Sequence, residues 1–280
     1  MSTAMGTLTD QVALVSGSGR GIGRAIALKL AREGARVVVN DLDAEPAGQT
    51  VRDIEDAGGT AVACVGSVTA DDFAERFVAT AVDSFDGLDI IVNNAGYTWD
   101  TVIQKMGDDQ WDAILDVHLK APFRILRAAQ PVIRERAKAE QAGGGRAAHR
   151  KVVNISSVAG LTGNAGQVNY SAAKAGILGL TRTMSKEWGR YNVTVNAVAF
   201  GLIRTRLTEA PADGTGAIDV EGRRIRVGVN PELLAGLEHG IPLGRGGTPE
   251  EAAGAVYLLC TPESSYVSGQ VLVCGGGFAG

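Results

Sequence analysis

Short apolar runs alternate with amphipathic stretches along most of this chain. The runs are rich in β-branched residues, as buried strands are, and they cover 12–15, 36–41, 60–65, 88–92, 152–155, 193–198 and 271–273. The stretches between them have helical spacing, at 24–33, 44–58, 70–85, 111–133 in two pieces around Pro122, 170–188 and 249–260. This alternation predicts an α/β fold with about seven parallel strands and helices on both faces of the sheet.

The polar stretch 134–151 does not follow this pattern. It contains many charges, a triple glycine and no apolar face beyond its first turns, so it predicts an exposed helix end followed by a loop. Its basic residues Arg146, Arg150 and Lys151 either are solvated or contact an acidic carrier or a CoA phosphate.

The stretch 201–240 is also irregular. It is rich in Pro, Gly and mixed charge, and Glu221-Gly222 has the character of a hairpin turn. Long irregular segments inside a compact domain usually carry function, so we expect a substrate lid here.

Composition limits the class of protein. A chain of 280 residues that is 45% hydrophobic can bury one large core, which favours a single domain over 1–280. A net charge of −4 gives no reason to expect a nucleic acid or an anionic membrane as partner. The first ten residues lack the blocks of a signal peptide, and no apolar run approaches the length of a membrane span.

The three cysteines support the same picture. Cys64, Cys260 and Cys274 are odd in number, widely spaced and set among apolar residues, which favours buried thiols in a reducing compartment. None of them has the spacing of a metal site. We therefore expect a cytoplasmic protein without a metal.

A glycine-rich turn joins the first predicted strand to the first helix. Gly17, Gly21 and Gly23 would let the backbone turn tightly and approach a pyrophosphate, whose charge a helix N-terminus favours. A plain tight turn is the alternative. The second strand ends at Asp41, whose carboxylate can bind the ribose hydroxyls of NAD and would repel the 2′-phosphate of NADP. Arg20 could instead pair with that phosphate, but we give Asp41 more weight and expect NAD.

Two further strand ends carry polar residues. Asn93-Asn94-Ala95-Gly96 follows the fourth strand, where two amides and a glycine can hold neighbouring backbone and leave room for a ligand, although such turns are usually only turns. Ser157 ends the next strand.

Tyr170 and Lys174 are one helical turn apart in an Ala-rich segment, so they share a face of the predicted helix. A lysine ammonium would stabilise the phenolate and lower the pKa of Tyr170, while Ser157 could donate a hydrogen bond to a substrate carbonyl. This set suits hydride transfer at a carbonyl or a secondary alcohol. Taken alone, the Tyr170 and Lys174 pair could be an ordinary exposed helical pair.

In combination the motifs resemble the classical short-chain dehydrogenase/reductase family, from about residue 8 to 277. The resemblance rests on SGSGRGIG at 16–23, NNAG at 93–96 and Ser157 upstream of Tyr170 and Lys174. Within that family, NISSVAG, GQVNYSAAKAGILGLT and VTVNAVA are most similar to 3-oxoacyl-carrier-protein reductases and 3-hydroxyacyl dehydrogenases.

The resemblance implies a Rossmann-type doubly wound sheet and a homotetramer assembled through the helices that contain DVHLKAPF and YSAAK. It implies that Tyr170 is the general acid/base, that Lys174 binds the nicotinamide ribose, that Ser157 orients the substrate oxygen and that His118 belongs to the catalytic set. The implied cofactor contacts are Gly17, Arg20, Gly21, Ile22, Gly23, Asp41, Ser67, Val68, Asn94, Ala95, Gly96, Tyr170, Lys174, Gly201, Ile203 and Thr205.

Four positions depart from the family pattern. His118 stands where many members have an Asn that holds a proton-relay water; it would titrate near pH ~6.5 and add an acid limb to activity, or it is merely structural. Ser67 replaces an Asp that usually meets the adenine. Phe200 and Cys274 replace residues of the loops at two strand ends, which puts loop geometry in question and not the reaction.

The expected function is an NAD(P)(H)-dependent oxidoreductase that interconverts a secondary alcohol and a ketone, with reduction of a 3-oxoacyl thioester or oxidation of a 3-hydroxyacyl thioester as the leading reaction. A steroid, a sugar or another small alcohol is the alternative substrate. A dinucleotide-binding regulatory protein without catalysis is an alternative of another class. Turnover across a substrate panel separates these hypotheses.

Overall fold

The sheet has seven parallel strands. The computed structural model of the chain describes residues 6–206, 208, 216–226, 228 and 231–278. The first five of the ten N-terminal residues considered for a signal peptide lie outside the described part. The sheet strands are β1 (Val12–Val15), β2 (Arg36–Val39), β3 (Thr60–Ala63), β4 (Ile90–Asn93), β5 (Arg150–Ser157), β6 (Val193–Phe200) and, last in the sheet, β9 (Val271–Cys274). Their order is β3-β2-β1-β4-β5-β6-β9, which confirms the predicted doubly wound Rossmann-type fold.

Helices cover both faces of this sheet. They are α1 (Gly21–Arg32), α2 (Ala44–Asp56), α3 (Phe73–Phe85), α4 (Asp108–Leu115), α5 (Ala121–Ala142), α6 (Ala159–Thr162), α7 (Val168–Trp188), α8 (Pro231–His239) and α9 (Pro249–Leu258). One large apolar cluster packs α1 and α9 against one face of the sheet, and a second packs α3 and α5 against the other. The central strands are therefore buried on both sides, which explains why they are continuous apolar runs rather than alternating ones.

The break between α4 and α5 does not fall at Pro122, as the sequence suggested. It is a π-helical turn at Asp116–Lys120, and Pro122 lies in the first turn of α5. The π turn runs directly into α5, so Pro122 lies within a continuous helix and removes one amide hydrogen from its backbone hydrogen bonds.

The predicted exposed helix end is present, but the predicted loop extended too far, to residue 151. Helix α5 continues to Ala142, and β5 begins at Arg150, so only 143–149 connects the two elements. Arg150 and Lys151 are 3% and 4% exposed. They are therefore neither solvated nor able to contact an external phosphate, the two alternatives that the sequence left open for them.

Internal partners explain why these two cations are buried. The guanidinium of Arg150 donates to both carboxylate oxygens of Glu140, at 2.6 and 3.1 Å, and to the carbonyl oxygen of Leu88 at 3.2 Å. Lys151 Nζ lies 3.2 Å from Ser264 Oγ and 3.3 Å from Ser265 Oγ. A charged group can leave water when its hydrogen bonds are replaced in this way.

The segment 201–240 is more regular than its composition suggests. An antiparallel hairpin of β7 (Ala217–Val220) and β8 (Arg223–Arg226) turns at Glu221-Gly222, which confirms the hairpin prediction, and α8 follows. Both turn residues have positive φ, 54° and 78°, the backbone of a tight two-residue hairpin turn. Residues 207, 209–215, 227, 229 and 230 of the predicted lid lie outside the described part of the chain.

Among the helices of the described residues, none combines the length and the apolar character that crossing a bilayer requires.

The ion pair of Arg150 yields a stability prediction. Glu140→Ala should lower the free energy of unfolding by about 2–3 kcal/mol, because it removes the carboxylate that hydrogen-bonds the buried guanidinium and leaves only Asp89, at 3.9 Å. Glu135→Ala, which removes an exposed ion pair of Arg134 on the same helix, should cost less than about 1 kcal/mol. Urea denaturation of both variants measures the difference, and equal losses would contradict the structural role of Glu140.

Candidate active site

The strand order reverses between β1 and β4, and a large cavity lies at this point. Its volume is about 740 Å³, and it runs along the carboxyl ends of the parallel strands, where doubly wound sheets bind their ligands. All predicted site residues line it: Gly17, Arg20, Gly21, Ile22, Gly23, Asp41, Ser67, Val68, Asn94, Ala95, Gly96, His118, Ser157, Tyr170, Lys174, Gly201, Ile203 and Thr205.

The glycine turn packs closely against its surroundings. Gly17 has a φ of +63°, and a Cβ there would lie 2.7 Å from the Cα of Ala95 in the loop after β4. A Cβ on Gly23 would collide with the carbonyl oxygen of Gly17 and with the side-chain amide of Asn94. The glycines are therefore required for the contact between two strand ends, in addition to any contact with a phosphate.

Ser16 and Asn94 connect these two strand ends with hydrogen bonds. The Ser16 hydroxyl oxygen accepts from the backbone amides of Asn94 and Ala95, at 3.0 and 3.1 Å. In return, the Asn94 side chain donates to the carbonyl oxygens of Ser16 and Gly17, at 2.9 and 3.0 Å. The prediction that a side-chain amide of NNAG binds neighbouring backbone is thus confirmed for Asn94.

Asn40 is a residue that sequence reasoning missed. It is 1% exposed at the end of β2, and its side-chain oxygen accepts from the Gly17 amide at 3.0 Å. Its side-chain nitrogen donates to the carbonyl oxygens of Cys64 and Gly66, both at 3.0 Å. A polar residue directly before Asp41 at the end of an apolar strand was the available signal.

Four charged side chains meet beside the glycine turn. Arg20 pairs with Asp43 at 2.9 Å, and Arg206 is close enough to Arg20, Asp41 and Asp43 to feel their charges. Burial, followed by the charge of Arg20, lowers the pKa of Arg206. Arg20 is therefore neutralised by an acid other than Asp41, and Arg206 is a second cation that sequence reasoning did not consider.

The predicted catalytic side chains meet at the other end of the cavity. Lys174 Nζ lies 5.6 Å from the centre of the Tyr170 ring and donates to the carbonyl oxygen of Ile155 at 2.7 Å. Helix α7 presents both residues on one face, as their spacing predicted, and β5 brings the hydroxyl of Ser157 close enough to the phenol of Tyr170 to act on its pKa. The Ser157 hydroxyl donates to the carbonyl oxygen of Phe200 at 3.4 Å.

The protonation of this pair differs from our prediction. Burial raises the pKa of Tyr170 to about 12, and the Ser157 hydroxyl only partly opposes this. Burial also lowers the pKa of Lys174 to about 7. The expectation that Lys174 makes Tyr170 unusually acidic is wrong, because the lysine is itself desolvated and is only partly charged near neutrality.

His118 lies on the π turn and faces Tyr170. The two rings meet edge to face with their centres 5.1 Å apart. His118 Nε2 lies 2.7 Å from the carbonyl oxygen of Tyr97; a carbonyl can only accept, so Nε2 carries the hydrogen and Nδ1 is an acceptor. Nδ1 is buried without a hydrogen-bond partner. A Cβ on Gly96 would collide with the imidazole, which explains the glycine of NNAG in this chain.

The expected titration of His118 near pH 6.5 is also corrected. Burial, reinforced by the charge of Lys174, holds the pKa of His118 well below its usual value. The imidazole is therefore neutral at physiological pH, and the acid limb that we expected from it is displaced to lower pH.

Two of the departures from the family pattern are neighbours in the sheet. Phe200 and Cys274 are paired across β6 and β9, and the Gly201 amide donates to the Cys274 carbonyl oxygen at 3.0 Å. Phe200 is 5% exposed within the core, and its carbonyl oxygen accepts from the Val158 amide at 2.9 Å. Both positions therefore contribute a backbone carbonyl oxygen, which does not depend on the side chain at position 200 or 274.

The residues at this site fit a nicotinamide dinucleotide. Glycines that admit no Cβ line the cavity at the N-terminus of α1, which can hold a pyrophosphate, and the buried acceptor Nδ1 of His118 lies beside Tyr170 and Lys174 at the catalytic end. Within the described residues, no three His, Cys, Asp or Glu side chains are grouped as a metal site requires. Fold and site together define a dinucleotide-dependent oxidoreductase of the Rossmann type.

Comparison with known proteins gives the family. The sequence model of a family described as enoyl-(acyl carrier protein) reductase matches residues 17–279. A 3-oxoacyl-(acyl-carrier-protein) reductase of Synechocystis is 39% identical over 98% of both chains, and one of Thermotoga maritima is 36% identical over 96% of this chain and 98% of its own. The short-chain reductase protein NovJ of Streptomyces niveus is 37% identical over 99% of this chain and 97% of its own. The chain belongs to the short-chain dehydrogenase/reductase family.

The burial of His118 yields a prediction about acid stability. Below about pH 6.5 the unfolded chain binds a proton at this residue and the folded chain does not, so stability should fall as the pH falls. From pH 6.5 to 5.0 we expect His118 to account for a loss of up to about 2 kcal/mol. His118→Asn should remove that part of the loss in urea titrations at both pH values.

His239→Asn is the matched control, because His239 is exposed at the end of α8. A His118→Asn variant with the pH dependence of the parent protein would show that the imidazole takes up its proton in the folded state.

Proposed function

We propose that this chain interconverts a secondary alcohol and a ketone with a nicotinamide dinucleotide, and that reduction of a 3-oxoacyl thioester is its main reaction. The observation that carries the proposal is the meeting of Ser157, Tyr170 and Lys174 at one end of a cavity whose other end is the glycine turn. Relatives named 3-oxoacyl-(acyl-carrier-protein) reductase support the choice of substrate.

The bound dinucleotide supplies or accepts the hydride at the substrate carbon. In the direction of reduction, Ser157 donates a hydrogen bond to the carbonyl oxygen and holds it near Tyr170. The Tyr170 hydroxyl gives its proton to that oxygen as the carbon–oxygen double bond becomes a single bond. Lys174, in its ammonium form, stabilises the phenolate that remains.

The acid–base properties of the site favour reduction near neutral pH. With its pKa raised to about 12, Tyr170 holds the proton that a carbonyl reductase must donate. With its pKa lowered to about 7, Lys174 supplies a full positive charge only below neutrality. Oxidation of the alcohol needs the phenolate instead and is therefore favoured at alkaline pH.

We propose NAD(H) as the preferred dinucleotide. Asp41 lines the cavity at the end of β2, where it can accept hydrogen bonds from both ribose hydroxyls, and Arg20 is paired with Asp43. Arg206 is the cation that would support NADP(H) in its place. We further propose a cytoplasmic homotetramer, on the grounds of the unpaired thiols and of the family resemblance.

Tyr170→Phe tests the proposed proton donor. The variant should lose at least about 10³-fold in kcat for a 3-oxobutyryl thioester, because the oxygen then has no acid within reach, while NADH binding measured by fluorescence should change less than about twofold. An active Tyr170→Phe variant would refute the role of the phenol.

The same assay separates the alternatives when purified protein is given a panel of substrates. The panel includes a trans-2-enoyl thioester of equal length, because the matching family model carries the name of an enoyl reductase. Turnover of a steroid or a sugar without turnover of thioesters would overturn the proposed substrate. Tight NADH binding without turnover of any substrate would indicate a regulatory protein.

Asp41→Ala tests the preference for the dinucleotide. The ratio of kcat/KM for NADH over NADPH should exceed 1 in the parent protein and should fall about tenfold or more in the variant, since the carboxylate both binds ribose and repels the 2′-phosphate. Glu45→Ala is the control for loss of a nearby acid, because Glu45 is exposed in the first turn of α2 and does not line the cavity. A parent protein that prefers NADPH would show that Arg206 and Arg20 outweigh Asp41.

A further inference from the structure

The hairpin of β7 and β8 crosses the cavity and contacts both of its sides. At its turn, the Glu221 carboxylate forms hydrogen bonds with the hydroxyls of Ser67 and Thr69, just beyond β3. On the other side, the guanidinium of Arg223 lies 5.8 Å from the centre of the Trp99 ring, in the loop after β4. The hairpin therefore spans the cavity from one half of the sheet to the other.

Glu221 reaches the part of the cavity where an adenosine must lie. Tyr170 and Lys174 mark the nicotinamide end and the glycine turn marks the pyrophosphate, so the remaining length of a dinucleotide extends along the ends of β2 and β3. Asp41 lies where the ribose passes. The next lining residues in that direction are Ser67, Val68 and Thr69.

Adenine presents an exocyclic amino group, which needs an acceptor. Hydroxyls such as those of Ser67 and Thr69 are weak candidates, because they already bond to each other at 2.7 Å and to Glu221. The carboxylate is the stronger acceptor. Its Oε1 accepts from the Ser67 hydroxyl and lies 3.2 Å from the Thr69 hydroxyl oxygen, while its Oε2 is 3.9 Å from Arg223 Nη1, which is beyond hydrogen-bond length.

The backbone conformation at Glu221 is unusual for a glutamate, which indicates that the carboxylate has a role at this position. Its φ of +54° is a conformation that Gly, Asn and Asp adopt more readily at hairpin turns than Glu does. The turn is held by the Gly222 amide, which donates to Asp219 Oδ1 at 3.0 Å. A glutamate at this position extends the acceptor across the cavity, which a shorter side chain at the turn would not do.

We propose that Glu221 is an adenine-binding residue, which accepts a hydrogen bond from the exocyclic amino group of the dinucleotide and ties the hairpin to the bound cofactor. Ser67 orients this carboxylate. The hairpin thus provides the carboxylate of Glu221 at a place where position 67, beyond β3, has only a hydroxyl. An Asp at position 67 would place a second negative charge against Glu221, so Ser67 and Glu221 belong together.

This assignment rests on the proposed use of a nicotinamide dinucleotide and is independent of the substrate. It is therefore tested by binding alone. The probes are NADH, its hypoxanthine analogue, which has a carbonyl oxygen in place of the exocyclic amino group, and reduced nicotinamide mononucleotide, which lacks the adenosine.

The parent protein should bind NADH about tenfold more tightly than the hypoxanthine analogue, because a carboxylate facing a carbonyl oxygen has no hydrogen to share. Glu221→Gln should weaken NADH binding about tenfold and bring the two dinucleotides within about twofold of each other, since an amide can donate as well as accept. The dissociation constant of the mononucleotide should not change. Glu75→Gln, on the exposed face of α3, is the control for loss of a glutamate.

Ser67→Asp and the double variant Ser67→Asp/Glu221→Gln complete the test. The single variant should bind NADH more weakly than the parent protein, and the double variant should recover both affinity and discrimination, because one carboxylate then faces the adenine from the strand end. Unchanged NADH affinity in Glu221→Gln, an equal loss for all three probes, or a double variant that does not recover discrimination would each overturn the proposal.

A failure of this kind leaves the proposed function intact if the parent protein turns over substrate with NADH. Absence of any dinucleotide binding by the parent protein would refute both. Thermal unfolding of each variant without ligand shows that the comparison is made between folded proteins.

Discussion

The site depends on a hydrogen-bonded junction between two strand ends. Four hydrogen bonds join Ser16 and Gly17 to Asn94 and Ala95 across the point where the strand order reverses, and Gly17 and Gly23 admit the approach because they carry no side chain. Where the connections that follow two adjacent parallel strands go to opposite sides of the sheet, a crevice forms between them. Here the junction ties the two strand ends together beside that crevice.

The core that stabilises the sheet also determines the acid–base chemistry. Tyr170 and Lys174 lie against buried strand ends, and the same removal of water that stabilises the apolar clusters shifts the pKa of each group toward its neutral form. His118 is shifted the same way on the neighbouring π turn. Tyr170 and His118 are thus neutral near pH 7 and Lys174 is only partly charged, which lowers the cost of burying the three side chains together.

Periodicity and strand ends allowed much of this to be predicted from sequence. The seven strands, the glycine turn, Asp41 and the shared helical face of Tyr170 and Lys174 follow from local patterns, and local patterns reflect backbone geometry directly. The protonation of the site did not follow, because a pKa depends on solvent exposure, which no short stretch of sequence determines. The burial of Arg150 depends on Glu140, and the contact of Glu221 with Ser67 joins positions 154 residues apart.

The π turn at Asp116–Lys120 has a consequence for insertions and deletions. It contains one residue more than an α-helical turn, and each helical residue corresponds to about 100° of rotation and about 1.5 Å of rise. Loss of a single codon within it would restore a regular helix and rotate α4 relative to α5 by roughly a quarter of a turn. Asp109 and Asp112, which line the cavity from α4, would swing out of it together. A change of length at this one place therefore reorients two cavity-lining side chains at once, which a point substitution at either position does not do.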